Sequence, residues 1–456
     1  MRRTMPPMFR ALRHRNYRRW AAADLVSVTG SWMQVIGVNW VVLERTGSVT
    51  SVGISVLLST LPAVLLGPWA GALADRFPVR RIVLVCQVMH AVLAGVLGFA
   101  VWSGLPMATI YALTCAAGLI SVFDGPAFGR LSSQIVPRDG LGNAVALGSV
   151  INSVGRIIGM STAGVLTALV GAPVLFVLNS LSFVAVIATV LTIRREELHV
   201  LATSAPNRAG VRDGLRYVAT SGRLLLLVTL GFVLSCLGRN YQVTMAAMSA
   251  DAAMYGVLSS VFAVGTVLGG LVAAARRTLS VRLLLVAAAL ASLLQVIGGL
   301  VSGPVAFAVV IVPIAAAAVL IDTTMSTRLQ LDSEDGMRGR MLAISGSAGA
   351  AAGAVGAPLL GWLCERLGAS TTLVLAGTIT LLTTVSAAVL FGASPHRRTA
   401  LAHRVLRRQR GVAHPAGHPL QPAPLTRPRR RARARTGKTE LAGAHHRPGD
   451  RPVQRG

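Results

Sequence analysis

Residues 49–102 read VTSVGISVLLSTLPAVLLGPWAGALADRFPVRRIVLVCQVMHAVLAGVLGFAVW. Two apolar runs flank one charged turn, Asp75-Arg76-Phe77-Pro78-Val79-Arg80-Arg81. At 1.5 Å per residue, a run of about 20 residues crosses a hydrocarbon core of about 30 Å. The stretch therefore reads as a pair of membrane-spanning helices joined by a polar turn. The pattern repeats outward in both directions, from Trp20 to Gly392. Of the 456 residues 53% are hydrophobic and only 13% are charged, about half the charged share of a soluble chain. Too little polar surface is present to cover a soluble fold. A soluble enzyme, a secreted disulfide scaffold and a coiled coil are excluded, leaving an all-α polytopic membrane protein. Cys86, Cys115, Cys236 and Cys364 stand isolated in apolar runs, without metal-ligand or redox spacing, and read as packing residues. The Arg-rich N-terminus feeds straight into a full-length helix, so that helix is expected to be retained rather than cleaved.

Twelve spans are predicted. Six cover roughly 20–43, 49–73, 82–102, 106–128, 142–169 and 172–193; six more cover roughly 224–247, 253–275, 283–302, 304–326, 341–363 and 370–392. Little more than Gly303-Pro304 divides the ninth from the tenth. Arginines test the count, because basic residues collect in cytoplasmic loops. With the N-terminus inside, the N-terminal arm and the inner loops hold 24 basic residues, while the outer loops hold Arg45 and Arg366 alone. One miscounted helix would invert every later loop and destroy this asymmetry. A multi-pass protein of the inner (plasma) membrane with both termini cytoplasmic is expected.

The chain divides into a basic arm (1–19), a first six-helix bundle (20–193), a cytoplasmic central loop (194–222), a second bundle (223–392) and a basic tail (393–456). A shift of 197 residues lays Gly159, Gly164, Gly171 and Ala172 on Gly356, Gly361, Gly368 and Ala369, so the bundles read as repeats. Parallel repeats around a central site are a transporter architecture. The tail, with 16 basic and 2 acidic residues, lacks apolar periodicity and is expected to be disordered. Attraction to anionic lipid or nucleic acid, or an accidental extension of GC-rich coding sequence, would each explain it.

The turn after the second span carries Gly71, Asp75, Arg76, Arg80 and Arg81. A Gly, a helix-terminal acid four residues on and several Arg resemble the signature loop of the major facilitator superfamily. Pro78 replaces the usual Gly, and Val79 stands where a basic residue is common, so Arg80 takes that place. The second-half counterpart, Gly270 to Arg277, has lost its acid. Further segments are similar to the enterobactin-exporter-like, multidrug efflux branch of that superfamily. These are Asn16-Tyr17-Arg18-Arg19 with Gly30-Ser31-Trp32-Met33-Gln34, Phe123-Asp124 with Pro126-Ala127, Asn143-Ala144 with Arg156, Gly159 and Gly164, Asn179-Ser180, and Arg338-Gly339-Arg340. Phe128 stands where the branch often has Arg, with Arg130 following, and Met160 replaces a usual Pro.

The resemblance covers about residues 9–392. It implies two pseudo-symmetric six-helix bundles and a secondary transporter that exports a small organic molecule of drug or siderophore type, by alternating access and proton antiport. It implies no enzyme activity, cofactor or metal. A small-molecule substrate, protons and the lipid bilayer are the implied partners; nucleic acid is not expected, and a monomer is. A facilitator or importer of a small metabolite competes within transport. A non-transporting anchor with a recruiting tail competes from outside it.

Ionisable groups inside spans are costly and usually pair or line a wet cavity. Asp24 is a candidate proton carrier or the partner of an inner-rim Arg. Arg156 would bind an anionic group or a buried acid, and Arg239-Asn240 would contact substrate or serve structure. Gln34 and Asn39 offer hydrogen bonds to a solute. Asp124 is expected to join Arg80 or Arg130 in a cytoplasmic gate with Gly71, Asp75, Arg76 and Arg81. His90 reads as packing. Gly155/Gly159, Gly265/Gly269 and Gly349/Gly353 read as close-packed seams, static or sliding.

Overall fold

The computed structural model describes residues 11–74, 77–137, 140–194, 198–199, 211–276, 278–334 and 337–411, with side chains described except at 68–74, 211–215, 338–340, 342–343 and 393–411. Among the described residues there are fourteen helices and no strand: α1 (Arg15–Thr46), α2 (Val49–Ala74), α3 (Val79–Trp102), α4 (Met107–Gln134), α5 (Leu141–Val170), α6 (Pro173–Thr192), α7 (Val211–Thr220), α8 (Gly222–Leu237), α9 (Tyr241–Ala247), α10 (Ala252–Ala275), α11 (Val281–Leu300), α12 (Pro304–Leu331), α13 (Arg338–Leu367) and α14 (Ala369–Gly411). Twelve spans result, because α8 and α9 together make the seventh and Ala369–Gly392 of α14 makes the twelfth.

Three local features differ from the sequence reading. The seventh span, read as continuous, breaks at Gly238-Arg239-Asn240. The central stretch, read as a loop, contains α7, whose Val218 is buried beside Leu224 and Leu284. Its one apolar face was hidden by the polar composition around it. Helix α14 also runs past the expected end of its span to Gly411, so the tail begins helical; residues 412–456 lie outside those described.

One rim of the molecule carries the tight turns. Gly47, Gly104, Gly171, Gly303 and Gly368 all have positive φ there, the region that only glycine enters at little cost. Gly171 (φ 84, ψ 162) and Gly368 (φ 83, ψ 153) end α5 and α13 in the same conformation. They are two of the residues matched by the shift of 197. The repeat extends to packing. A Cβ at Gly159 would overlap α1 at Thr29 and Trp32, and one at Gly356 would overlap α8 at Cys236. Gly164 lies against Gly256 of α10, and Gly361 against Val49 and Thr50 of α2. The fifth span thus leans on the first and eighth as the eleventh leans on the seventh and second. This is the pseudo-symmetry of two six-helix bundles.

The opposite rim carries exposed Arg13, Arg15, Arg18, Arg19, Arg81 and Arg276. Between the rims, α3 turns Val85, Val88, Val92, Val96 and Phe99 outward at helical spacing. So long an exposed apolar face suits a lipid neighbour rather than water.

The cores reveal the state of the molecule. At the glycine rim one core is shared by both halves, with Ile36, Phe176 and Met160 packed together with Tyr255, Leu258 and Phe307. At the arginine rim the core splits. Tyr17, Trp20, Leu131 and Val190 belong to a cluster of the first half alone, and Leu230, Leu284, Leu329 and Met341 to one of the second. Helices α2 and α13 follow the same course. Gly53 touches Ala357 and Pro358, whereas a Cβ at Gly67, Gly346 or Gly349 would meet nothing within 4 Å. The halves close at the glycine rim and part toward the arginine rim.

Glu365 of α13 fastens the closed side. Its Oε1 accepts from Ser48 Oγ (2.6 Å) and the Thr50 N–H (2.9 Å), and its Oε2 from Thr50 Oγ1 (2.6 Å). The carboxylate satisfies donors of the first turn of α2, where the helix dipole favours negative charge.

Candidate functional site

The break in the seventh span builds the site. Ending α8 within the membrane leaves carbonyl groups that lipid cannot solvate. The Leu234 carbonyl accepts the Gly238 N–H. Asn240 Nδ2 donates to the carbonyls of Ser235 (3.2 Å) and Cys236 (2.9 Å), and Gln295 Nε2 of α11 donates to that of Leu237 (3.2 Å). Asn240 therefore does the structural work that was one of its two expected roles, and it lines the cavity beside the break as well.

Arg239, held in the break, reaches Asp322 of α12. Both Asp322 carboxylate oxygens are engaged by its two terminal nitrogens, and Nη1 also donates to Ser235 Oγ (3.3 Å). The pair opens into a cavity of 320 Å³ between the halves, which Trp32, Arg156, Tyr241 and Phe262 also line. The Arg156 guanidinium carbon lies 5.7 Å from the centre of the Trp32 ring, within cation–π range.

A second cavity of 210 Å³ lies mainly among first-half helices, lined by Gln34, Asn39, Ser59, His90 and Asn179. Val56 and Gln242 border both cavities. Asn179 Nδ2 donates to Gln34 Oε1 (2.8 Å). Asn39 Nδ2 contacts Gln242 Oε1 (3.3 Å) and the Tyr255 hydroxyl (3.4 Å), which links the halves just under the glycine-rim seal. His90 stacks on Phe183 with ring centres 5.1 Å apart.

The expected residues thus divide. Arg156, Arg239 and Asn240 gather at the central cavity, and Gln34 and Asn39 at the polar one. Asp24 lines neither; it sits half-buried in α1 toward the arginine rim and has no hydrogen bond or ion pair among the described residues. Asp124 accepts from Gln87 Nε2 (3.0 Å) rather than from the expected arginine. Arg80 donates to the Leu191 carbonyl (3.0 Å), and Arg81 is exposed. Asp75 and Arg76 lie outside the described residues, as does the surrounding of Gly71. Of the three glycine seams, Gly155/Gly159 packs on α1 and Gly265/Gly269 on α12. Gly349/Gly353 is not packed: it faces the central cavity, with Asn240 Oδ1 3.9 Å from a Cβ placed on Gly353.

Sequence reasoning did not place Asp322 in the site, because it falls toward the expected cytoplasmic end of the tenth span, although it and Arg239 are opposite charges within second-half spans. Opposite lone charges in one bundle were the available signal. The resemblance motifs also meet in space: Tyr17 donates to the Ala144 carbonyl (2.8 Å), and Trp20 packs on Phe128 with ring centres 4.4 Å apart.

Residues 7–404 match the transmembrane secretion effector family. The chain belongs to that family. This transmembrane secretion effector, a major facilitator protein as the motifs implied, is 27% identical over 182 residues to the staphyloferrin A transporter of Staphylococcus aureus, covering 40% of this chain and 45% of that one. It is 26% identical over 211 residues to the multidrug efflux pump Tap of Mycolicibacterium fortuitum, covering 43% and 50%. The chain spans about half the length of the curated relatives it matches. Among solved structures, the nucleoside transporter NupG aligns with a TM-score of 0.68 at 11% identity, over 82% of this chain and 100% of that one. An inward-facing bacterial homologue of the iron transporter ferroportin aligns with a TM-score of 0.62 at 17% identity, over 82% and 98%. At such identities the likeness is one of fold.

Proposed function

We propose that this transmembrane secretion effector exports a small organic molecule by alternating access, driven by inward proton flow. The observation that carries the reading is the central cavity: charged, at mid-span, closed off at the glycine rim and unsealed toward the arginine rim. The positive-inside rule puts the arginine rim in the cytoplasm, where an exporter loads. Among the relatives, the multidrug efflux pump Tap supports the direction. Expression in a strain stripped of its efflux pumps, screened for drug resistance and solute accumulation, tests it. Failure to lower the accumulation of any compound would reject export. Lowered accumulation that persists without residues 412–456 would also exclude an anchor acting through its tail.

Orientation has its own test. A reporter fused after Gly104 should be external and one fused after Gly210 cytoplasmic. Both on one side would contradict twelve spans with the termini inside.

In the opposite state, Asp75, which follows α2 in the sequence, would face the first turn of α13, as the family resemblance implies. Gly71, Arg76, Arg80, Arg81, Asp124 and Arg130 would complete that gate. The protein would work as a monomer in the bacterial inner membrane.

Asp24 is the proposed proton carrier, since no fixed partner among the described residues holds its charge. One proton crossing 100 mV supplies about 2.3 kcal/mol, or an accumulation ratio of about fiftyfold. Asp24→Asn should collapse uphill export while exchange down a gradient persists. Uphill export at the wild-type level would remove Asp24 from the coupling.

A further inference from the structure

We infer that the central cavity takes a small monoanionic organic acid, a carboxylate on an aromatic or otherwise apolar body, and that Arg156 binds the carboxylate. This deepens the export reading and rests on it for the term substrate. The binding site itself stands on its own geometry.

The argument is a charge count. Among the described residues lining the cavity, the charged groups are Arg156, Arg239 and Asp322. Asp322 is already taken, since Arg239 occupies both of its oxygens. Arg156 has no hydrogen bond or ion pair among the described residues, and its Nε is buried without a partner. A guanidinium does not release its proton in a protein. The cavity therefore holds one positive charge without a counter-charge, at a depth where uncompensated charge is expensive. A bound anion cancels it.

The shape of the group follows from the donors. A guanidinium offers paired N–H donors in a plane, which match the two oxygens of a carboxylate. One excess charge suits a monoanion. A phosphate monoester, near two negative charges at neutral pH, would overshoot and leave the opposite charge uncompensated. The body of the ligand follows from the walls. Trp32, lying against Arg156, together with Met160, Tyr241 and Phe262, presents an apolar and aromatic surface to it. A volume of 320 Å³ suits a compact molecule. The opening toward the arginine rim gives it a path from the loading side.

The test uses the purified full-length protein and three probes of one shape: 1-naphthoate, 1-naphthamide and 1-naphthylmethylammonium. Binding is read by thermal shift and by titration. The carboxylate should bind about 10- to 100-fold more tightly than the amide, the range expected for hydrogen bonds to a charged group, and the cation should bind more weakly still. Arg156→Gln should erase the preference for the carboxylate, and Arg156→Lys should keep part of it. If a variant fails to fold, the three-probe comparison on the wild type decides alone. Equal binding of carboxylate and amide, or a preference for the cation, overturns the proposal. So does a carboxylate preference that survives Arg156→Gln. These outcomes are separate from the export reading. Extrusion of neutral or cationic compounds alone would sink the anion site and spare export. A carboxylate preference lost in Arg156→Gln, with no compound extruded from cells, would do the reverse.

Discussion

Asp322→Asn should destabilise the protein by about 1.5–3 kcal/mol, the value of hydrogen bonds to a charged group. The double variant Arg239→Gln/Asp322→Asn should regain much of that loss. Asp322 holds both terminal nitrogens of Arg239 and lies in the field of Arg156 as well. Removing the acid alone leaves two guanidinium groups in one cavity with no acid among the described lining residues. Removing the pair leaves a single one, as in the wild type. The asymmetry is that of an interior ion pair: losing one partner costs far more than losing both. The pair is half-buried, with side chains 33% and 46% exposed to the cavity, so the larger losses known for fully buried pairs do not apply. Thermal unfolding of the single and double variants in detergent, analysed as a double-mutant cycle, measures the coupling. A double variant no more stable than Asp322→Asn would mean that the two residues do not act as a unit.

Gly256→Val should hold the glycine rim open and stop transport. The Cα of Gly164 occupies the space that a Cβ at Gly256 would need, and no rotamer relieves a clash with backbone. Closure would have to push α5 and α10 apart and disrupt the shared core around Tyr255 and Met160. Overpacking of this kind costs about 1–3 kcal/mol or more, enough to shift the closed population by about fivefold to well over a hundredfold. Labelling of a cysteine placed at Gln242, just below the seal, reads the shift from the glycine-rim side. Glu365→Ala acts on the same equilibrium more gently. Its carboxylate sits in water at the first turn of α2, and such a contact is worth about 0.3–1 kcal/mol, and up to about 2 if partly buried. A shift of several-fold, and at most about thirtyfold, is expected. Unchanged labelling in Gly256→Val would show that the close approach of α5 and α10 does not seal this side.

Much of the fold was legible from the chain. Span length, loop arginines and the spacing of Gly159, Gly164 and Gly171 against Gly356, Gly361 and Gly368 are one-dimensional signals. The membrane makes them decisive, because lipid admits only segments that satisfy their own backbone hydrogen bonds. Arg156, Arg239 and Asn240 were also visible, since a polar side chain within an apolar run stands out by its cost.

Tertiary structure alone decided who meets whom. Arg239 and Asp322 are 83 residues apart, and nothing in either run fixes which face of its helix turns inward. Asn240 read as a substrate contact or a structural residue until the break in the seventh span showed the carbonyls it serves, and Gln295, which serves another of them, carried no signal in the sequence. Asp124 was expected to meet Arg80 or Arg130 and meets Gln87, while Arg80, on the same helix α3, donates to the Leu191 carbonyl. Gly349 and Gly353 look like Gly265 and Gly269 in sequence, yet one pair lines a cavity and the other packs on α12. The state of the molecule was hidden for the same reason. Whether the halves close at one rim or the other depends on contacts between helices whose sequences serve both arrangements, so only the shared core at the glycine rim and the divided cores at the other reveal it.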